Sequence, residues 1–399
     1  MVSVSVPGKL ILIGEHAAVY GRPALVAAVG LRLRVTVAAG RPGDPDAVRI
    51  RLPDSGVEAA RSWSKVLERA RQAREAWERY DREPGPDTFA ALAAPAADAS
   101  GAGPGGESLG LLELALGEAA RELGEDDPER LAPVALTVAS EIPVGSGFGS
   151  SAAAAVGVVM AYLAFRGAAL EPARLHRVSL EVERRQHGSP SGVDNATVLH
   201  GGILEARRLP SGEVAFDGVR VRSRLLEGLR VLGTGRPAEA TGAVVAAVRA
   251  LRDREPARVD GVLDRLGELT VRLREELGRR DERPAEAVAV LREAEAGLEA
   301  LGVVPAPVRE LVRRIEAEGG AAKVSGAGSL AGPGAGNLIV YHPEPERIER
   351  WGFLAGCRRY RVELGVPGAR VEPSSGGAGA EGAAGRGRSP GAAAVEGAS

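Results

Sequence analysis

Cysteine is almost absent from this sequence of 399 residues, in which Cys357 is the single example. One cysteine excludes an internal disulfide and a zinc cluster built on several cysteine ligands. Aromatic residues are also scarce at 3%, whereas the apolar share of 44% is ample for buried cores. The cores must therefore consist mainly of alanine, valine and leucine. A chain of this length is expected to divide into two domains.

An excess of charge of one sign is missing as well, because the formal net charge is −2 at pH 7. A chain without a global positive field is not expected to bind nucleic acid or an anionic membrane. Long apolar runs are lacking too, since the longest, at 152–165, is shorter than the ~18 residues that span a bilayer. The N-terminal residues carry no basic segment or cleavage site of a secretory signal, so we expect a cytoplasmic protein.

Lysine is rare among the basic residues. Only Lys9, Lys65 and Lys323 are lysines, whereas the other 48 of the 51 basic residues are arginines. Arginine is a broad planar fork and lysine is a compact charge on a thin stem, so the two do not replace each other freely. Lys9 and Lys323 lie beside glycine-rich motifs, which suggests positions where arginine does not serve. Lys65 lies in a predicted surface helix and needs no special role.

The hydrophobic pattern predicts strands and helices without the regular strand–helix–strand repeat of a Rossmann sheet, so an α+β pair of domains fits best. Strands are predicted at 2–6, 10–13, 31–37, 134–138, 200–206, 213–220, 229–234, 321–324 and 338–341. Helices are predicted at 57–80, 109–123, 151–165, 172–186, 237–252, 257–278, 284–301 and 306–318. The composition of 84–108 predicts a mobile insertion, and that of 374–399 a disordered tail.

The strongest local motif is PVGSGFGSS at 143–151, between a predicted strand and a predicted helix. Its glycines let backbone N–H groups approach an anion, and the helix N-terminus adds unpaired donors and the positive end of a dipole. The hydroxyls of Ser150 and Ser151 could reach a phosphate oxygen or Mg²⁺, or simply cap the helix in an ordinary turn. No Gly-Lys-Ser/Thr follows and a third Rossmann glycine is missing, so the motif is neither a Walker A loop nor a dinucleotide fingerprint.

Charged residues also lie beside glycines near the N-terminus, in PGK at 7–9 and GEHAAVYG at 14–21. These motifs place Lys9, Glu15 and His16 around a short apolar run. The end of a buried strand is a costly place for charge unless the charge is paired or used. A surface turn with an ion pair is the alternative interpretation.

Two later motifs are weaker when taken alone. HGSPSGVDN at 187–195 follows Glu183 and suggests that Asp194 is presented to a ligand, although Asp194 could instead form an Asx turn. KVSGAG at 323–328 is, by itself, only a flexible connection between strands.

Together, in this order and spacing, the motifs resemble those of the GHMP kinase superfamily over about residues 1–372. Within the superfamily, GEHAAVYG and HGSPSGVDN are most similar to motifs of the mevalonate kinase family. The resemblance implies an N-terminal ribosomal-protein-S5-like domain, which we place at 1–195, and a C-terminal ferredoxin-like domain, at 196–373. The third motif is longer here than the family's GAGGGG, running from 326 to 336.

The resemblance implies ATP-dependent phosphorylation of the 5-hydroxyl of mevalonate to 5-phosphomevalonate, in isoprenoid biosynthesis. ATP and Mg²⁺ would be the cofactors and a small molecule the partner. Members of the family are often dimers, so a homodimer is the expected assembly. One alternative is another GHMP kinase that acts on phosphomevalonate or a sugar. The other is a binding protein of this fold without catalysis, against which the retained Lys9, Glu183 and Asp194 argue.

The resemblance also implies roles for individual positions. Asp194 would accept the proton of the attacking hydroxyl or orient that hydroxyl, and Lys9 would stabilise developing charge. Glu183 would bind Mg²⁺ together with Ser150 or Ser151. The loop over the nucleotide phosphates would comprise Pro143, Gly145, Ser146, Gly147, Gly149, Ser150, Ser151 and Ala152. The substrate pocket would be lined by Lys9, Glu15, His16, Asp194, Thr241, Gly326 and Ala327.

Overall fold

A computed structural model describes residues 1–43, 47–83, 85, 87–89, 91–92, 106–143, 145–188, 190–209 and 213–373. The predicted mobile insertion at 84–108 lies for the most part outside these residues, and the predicted disordered tail at 374–399 lies wholly outside them. Two residues of the glycine-rich motifs, Val144 and Ser189, also lie outside them.

Two sheets contain the strands of the described residues. The strands are β1 Val2–Ile13, β2 Ala24–Ala39, β3 Val48–Leu52, β4 Val57–Arg61, β5 Val134–Ser140, β6 Ile203–Arg208, β7 Val214–Gly218, β8 Leu229–Gly233, β9 Ala321–Ser325, β10 Asn337–Tyr341, β11 Arg358–Tyr360 and β12 Arg370–Val371. The helices are α1 Glu15–Val19, α2 Trp63–Arg82, α3 Gly106–Glu122, α4 Ser150–Phe165, α5 Pro172–His187, α6 Val193–His200, α7 Thr241–Arg254, α8 Pro256–Gly278, α9 Pro284–Ala300, α10 Ala306–Ala317 and α11 Pro345–Arg350.

The larger sheet has the order β12-β1-β2-β5-β3-β4, and β6 joins it by pairing with β2 and β7. Its neighbouring strands are antiparallel except β3 and β5, which are parallel. β1 runs unbroken from Val2 to Ile13 where the sequence predicts two strands, because a register shift between Pro7 and Gly8 lets the ladder continue past the proline.

Helix α4 forms the centre of the core over this sheet. Every residue from Ala152 to Leu163 is buried, as expected for a helix that is apolar on all sides. The helix packs against β1 and β2 and is flanked by α3 and α5. Gly157 permits the closest approach to the sheet, since a Cβ there would lie 2.7 Å from the Cγ2 atom of Val35. The small side chains of α4 therefore set how near its N-terminus comes to β1.

The smaller sheet has the order β11-β8-β10-β9 and is antiparallel throughout. Helices α9 and α10 cover β9, whose five residues are all buried. The α+β prediction is confirmed by these two sheets and their helical layers. No helix in the described part of the chain is long and apolar enough to cross a membrane.

The last described strand returns to the larger sheet, where β12 pairs with β1. Strands β6 and β7 also belong to that sheet, so it takes strands from both sides of the predicted division at 195/196. That division stays a prediction.

Two local predictions are wrong. The predicted helix at 57–80 begins as β4, because Val57 to Arg61 pair with β3, and α2 starts only after Ser62, whose hydroxyl accepts from the N–H of Lys65. Residues 187–195, for which no helix is predicted, end inside one, since α6 begins at Val193. Asp194 therefore lies in the first turn of a helix, where an acidic side chain is favoured.

Candidate active site

The glycine-rich loop connects β5 to α4 and turns through three left-handed residues. Gly145, Gly147 and Gly149 have φ angles of 72°, 87° and 70°, which side chains other than glycine adopt only with strain. The Ser146 hydroxyl donates to the carbonyl of Pro143 at 2.7 Å and tightens the turn. The loop thus presents backbone rather than side chains.

The N-terminus of α4 opens from this loop without a side-chain cap. The cap position is Gly149, which has no hydroxyl, so neither Ser150 nor Ser151 serves as the cap. The first N–H groups of the helix keep their hydrogen-bonding capacity, and the dipole adds positive potential there. Ala152 follows as a fully buried residue. This end of α4 is suited to an anion such as a phosphate.

Lys9 and Asp194 form an ion pair next to the glycine loop. The Lys9 Nζ lies 3.0 Å from Asp194 Oδ2, and the side chains are 8% and 35% exposed respectively. The exposed fraction matters because the carboxylate keeps access to a ligand while the ammonium is largely desolvated. The N–H of Lys9 also donates to the carbonyl of Phe148 at 2.9 Å, which ties β1 to the loop.

Gly149 lies against the side chain of Lys9, where a larger residue would clash with it. A Cβ at Gly149 would lie 2.6 Å from Lys9 Cγ, closer than real Cβ atoms come, and 3.0 Å from its Cε, which is a tight contact. The glycine therefore serves two purposes, the left-handed turn and the passage of the lysine side chain.

The segment before Asp194 is held by two helices. Trp77 of α2 donates from Nε1 to the carbonyl of Gly188 at 2.9 Å, and the ring of Tyr80 lies against the same glycine. His176 of α5 makes a 3.2 Å hydrogen bond to the carbonyl of Gly192. These contacts fix the backbone on both sides of the turn that leads into α6.

Glu183 lies beside the ion pair and is buried in α5. Its Oε1 accepts a 3.5 Å hydrogen bond from Ser151. Burial, and secondarily the negative charge of Asp194, raise the pKa of Glu183 to about 8, although Lys9 and the bond from Ser151 act in the opposite direction. Two acidic side chains, Glu183 and Asp194, thus lie beside a single ammonium group, that of Lys9. If both were ionised, the cluster would carry a net negative charge.

A hard divalent cation binds oxygen ligands at a place with an excess of negative charge, and this cluster provides both. Glu183 and Ser151 offer two oxygen ligands, and Mg²⁺ commonly takes one or two protein ligands together with phosphates and waters. Within the described residues, no group of three or more His, Cys, Asp and Glu side chains is placed to hold a metal ion. The residues therefore fit a cation that arrives with a nucleotide.

Glu15 and His16 open helix α1 directly after β1, and both are buried. The Lys323 ammonium pairs with Glu15 Oε1. The His16 Nε2 makes a 3.0 Å hydrogen bond to the carbonyl of Ala327, next to Gly326 in the third glycine-rich motif. Burial lowers the pKa of His16 despite that bond and the nearby Glu15 charge. A carbonyl only accepts, so the neutral ring carries its proton on Nε2.

The long third loop is anchored at several points. The Ser329 N–H donates to the carbonyl of Val303 at 2.9 Å, and its hydroxyl donates to Glu239 at 2.6 Å. Glu239 precedes α7, which begins at Thr241. Thr241 itself is exposed, and no contact described here joins it to the other predicted site residues. The start of α7 therefore lies next to the third loop. The side chain of Thr241 does not lie against Asp194.

Three buried residues near these motifs were not assigned a role from the sequence. The sequence marks Lys323 only by its survival as a lysine in an arginine-rich chain. Ser325 donates from its hydroxyl to the carbonyl of Ile11 at 2.8 Å. Asn337 is 1% exposed, and its amide atoms have no hydrogen-bond partner within the described structure, although Gly147 lies close by. The sequence carries no signal for Ser325 or Asn337.

Taken together, these groups are suited to phosphoryl transfer. A backbone loop and helix N-terminus suited to phosphate stand beside a lysine–carboxylate pair and a buried carboxylate with a serine. Phosphoryl transfer depends on positioning and charge neutralisation rather than on covalent participation of the protein.

Comparisons with known proteins agree with this description. Residues 112–202 match the family model of the GHMP kinases N terminal domain. The chain is similar to the mevalonate kinase of Aeropyrum pernix, with 31% identity over 81% of this chain and 85% of the relative. It is also similar to the mevalonate kinase of Archaeoglobus fulgidus, with 27% identity over 81% and 88%.

Among solved structures, the fold matches that of the Methanococcus jannaschii mevalonate kinase with a TM-score of 0.65. The match has 17% identity and covers 93% of this chain and 98% of the other. The expected α+β fold of the GHMP kinases is thereby confirmed.

Proposed function

This chain belongs to the mevalonate kinase family of GHMP kinases, and from that membership we propose which of its residues carry out the reaction. It is an ATP-dependent kinase that phosphorylates the 5-hydroxyl of mevalonate, giving 5-phosphomevalonate for isoprenoid biosynthesis. The observation that carries the assignment of roles is the ion pair of Lys9 and Asp194 at 3.0 Å, directly beside the glycine loop.

Asp194 faces the substrate hydroxyl in this proposal. Its carboxylate either takes the hydroxyl proton as the oxygen attacks the γ-phosphorus, or holds the hydroxyl in line for attack. Lys9 keeps the carboxylate in place and lowers the energy of the charge that develops between the hydroxyl and the phosphoryl group. The partial exposure of Asp194 leaves room for the substrate.

The nucleotide phosphates lie at the glycine loop and the N-terminus of α4. Backbone N–H groups there supply donors and the helix dipole supplies positive potential. The residues assigned to this contact are Pro143, Gly145, Ser146, Gly147, Gly149, Ser150, Ser151 and Ala152. Support comes from the three left-handed glycines and the missing side-chain cap.

Glu183, with Ser151 or Ser150, would hold the Mg²⁺ that accompanies the nucleotide. When bound, the cation neutralises charge on the phosphate oxygens. The chain's own contribution is a buried carboxyl group. Because burial and Asp194 favour its protonated form, a cation that binds there must displace the proton and supply the missing positive charge. The Ser151 hydroxyl orients that carboxylate.

The mevalonate pocket would be bounded by Lys9, Asp194, Glu15, His16, Gly326, Ala327 and Thr241. His16 is neutral, with its proton on Nε2 directed to the Ala327 carbonyl, so its Nδ1 is an acceptor for a substrate hydroxyl. Glu15 offers a second buried acceptor, because its Oε2 has no hydrogen-bond partner within the described residues. Two acceptors suit the alcohol groups of mevalonate.

A coupled ADP-release assay tests the function. Purified protein would be given ATP with mevalonate, phosphomevalonate, diphosphomevalonate, galactose or homoserine, with Mg²⁺ or with EDTA. We expect turnover of mevalonate that disappears in EDTA. Robust turnover of another compound without turnover of mevalonate would refute the substrate, and full activity in EDTA would refute the Mg²⁺ proposal.

A homodimer is proposed from the family resemblance alone, and the cytoplasmic location stays the expectation drawn from the sequence. Light scattering of the purified protein at micromolar concentration would give the mass in solution. A mass equal to one chain would refute the dimer.

A further inference from the structure

Lys323 is a buried charge for which the reaction outlined above has no use. It lies at the centre of β9 with none of its surface exposed, and lysine is almost never fully buried unless it is paired. Its ammonium pairs with Glu15 Oε1 and donates to the carbonyl of Val324 at 2.6 Å. Glu295, on α9, accepts the N–H of Val324 at 2.9 Å.

Lys323 belongs to a row of contacts that we call the β9 seam. Lys323 pairs with Glu15, Ser325 donates to the Ile11 carbonyl, and the Ala327 carbonyl accepts from His16. Alternate residues of a strand point to the same side, which explains the spacing of two between Lys323 and Ser325. The β9 seam joins the smaller sheet to the end of β1 and the start of α1, where the proposed substrate residues Glu15 and His16 lie.

The backbone at the start of α1 is already fixed. Gly14 has a φ of 97°, and a Cβ there would lie 2.6 Å from the Cα of Ala24. The direction of the Glu15 carboxylate is therefore set by its side-chain contact, and within the described residues that contact is Lys323.

We propose that Lys323 is a positioning residue for mevalonate: it holds one oxygen of Glu15, so that the other oxygen and the neighbouring His16 meet the substrate. This proposal rests on the function proposed above. It also gives a reason for lysine at this position, because a guanidinium is too broad for the space that a single ammonium fills between Glu15 and the Val324 carbonyl.

Loss of Lys323 must be separated from simple loss of stability. Removing one member of a buried ion pair leaves an uncompensated charge and destabilises a protein, whereas removing both members is often tolerated. The variants are therefore Lys323→Met, Glu15→Gln and the double variant, with Lys65→Met as a matched change of an exposed lysine. For each, kcat, KM for mevalonate, KM for ATP and Tm are measured.

A positioning role predicts a specific pattern in the KM for mevalonate. It rises at least about tenfold in Lys323→Met and in Glu15→Gln, while KM for ATP stays within about twofold. The double variant is no worse than the poorer single variant, because the two side chains act as one unit. Lys65→Met matches the unchanged protein.

Three results would overturn the proposal. They are a lower Tm with KM for mevalonate unchanged, an equal rise in both KM values, and additive effects of the two single changes. If Lys323→Met does not fold, the double variant still decides, since an unchanged KM for mevalonate there refutes positioning. Absence of mevalonate turnover in the unchanged protein would instead refute the proposed function.

Discussion

Lys9 shows how one side chain can depend on several distant parts of a sequence. Its stem crosses Gly149, its ammonium meets Asp194, and its N–H is bonded to Phe148. Each partner lies more than 130 residues along the chain from Lys9. At this scale the proposed chemistry is a matter of one ammonium and one partly exposed carboxylate.

Replacing Asp194 by asparagine should lower kcat by about 10²-fold or more while leaving the Kd for ATP within about threefold. The amide keeps the size of the side chain but can neither accept the hydroxyl proton nor pair ionically with Lys9. Steady-state kinetics and nucleotide binding by calorimetry are the measurements. Asp217→Asn, on the exposed surface of β7, is the control. An unchanged kcat would remove Asp194 from catalysis.

At the scale of elements, the junction of the glycine loop with α4 decides whether Lys9 and the nucleotide site fit together. Gly149 both ends the loop and admits the lysine stem. Gly167, just beyond the other end of the same helix, has nearly the same left-handed φ of 71° but nothing within 4 Å of the position a Cβ would take. The two glycines differ in surroundings and not in backbone.

Alanine at Gly149 should therefore cost activity, whereas alanine at Gly167 should cost only stability. Both changes place a side chain in a left-handed conformation, which destabilises by ~1–2 kcal/mol. Only Gly149→Ala displaces Lys9, so we expect its kcat/KM to fall at least about tenfold and that of Gly167→Ala to stay near normal. Equal activities of the two variants in the ADP-release assay would contradict this.

A second element contact joins α9 to β9 through Glu295. This carboxylate has none of its surface exposed, and it accepts the N–H of Val324 with one oxygen while the other has no partner in the described structure. Burial raises the pKa of Glu295 to about 7, against the opposing effects of that bond and Lys323. The folded protein thus holds a proton on Glu295 that the unfolded chain releases at lower pH.

The stability contributed by that proton should fade as pH rises. A raised pKa in the folded state gives a contribution that is fully present below about pH 4.5 and lost as pH approaches and passes 7. The free energy of unfolding, compared with that of Glu295→Gln, should fall by ~3 kcal/mol over this range. Urea unfolding of both proteins between pH 4 and 8 measures it. A difference that does not change with pH would be evidence against a protonated Glu295.

At the scale of the whole molecule, β12, the last described strand, adds to one edge of the larger sheet. Arg32 donates to the carbonyls of Pro367 and Gly368, and the N–H of Ala369 donates to the carbonyl of Val198. β12 then pairs with β1, the strand that carries Lys9. The proposed site residues all precede residue 374, so nothing assigned to the reaction lies beyond β12.

Two truncated chains should distinguish the contribution of β12 from that of the tail at 374–399. A chain that ends after Pro373 should keep kcat and both KM values within about twofold, because it retains β12 and all assigned residues. A chain that ends after Gly365 loses β12 and the contacts to Arg32, and its Tm should fall by about 5 °C or more. Tm is followed by circular dichroism. A large loss of activity in the longer chain would show that the tail contributes to function.

The sequence by itself determined the type of chemistry and most of the elements. Glycines with charged neighbours are local signals, since a left-handed turn or a helix N-terminus requires particular residues within a few positions. Local patterns also placed β5, α4 and α5 within one or two residues of their observed bounds. They failed where pairing decides: residues 57–61 read as helical because of their alanine and charge, yet edge pairing with β3 makes them a strand.

Only the tertiary structure decided which polar side chains meet. Lys9 with Asp194, Glu183 with Ser151, and Lys323 with Glu15 join residues 32 to 308 positions apart, and no local spacing encodes such contacts. The pKa of a buried carboxylate follows from the same folding, because it depends on water excluded and charges gathered by distant segments. The motifs therefore singled out most of these residues as candidates, while packing of β1 against α4, α6 and β9 determined their geometry.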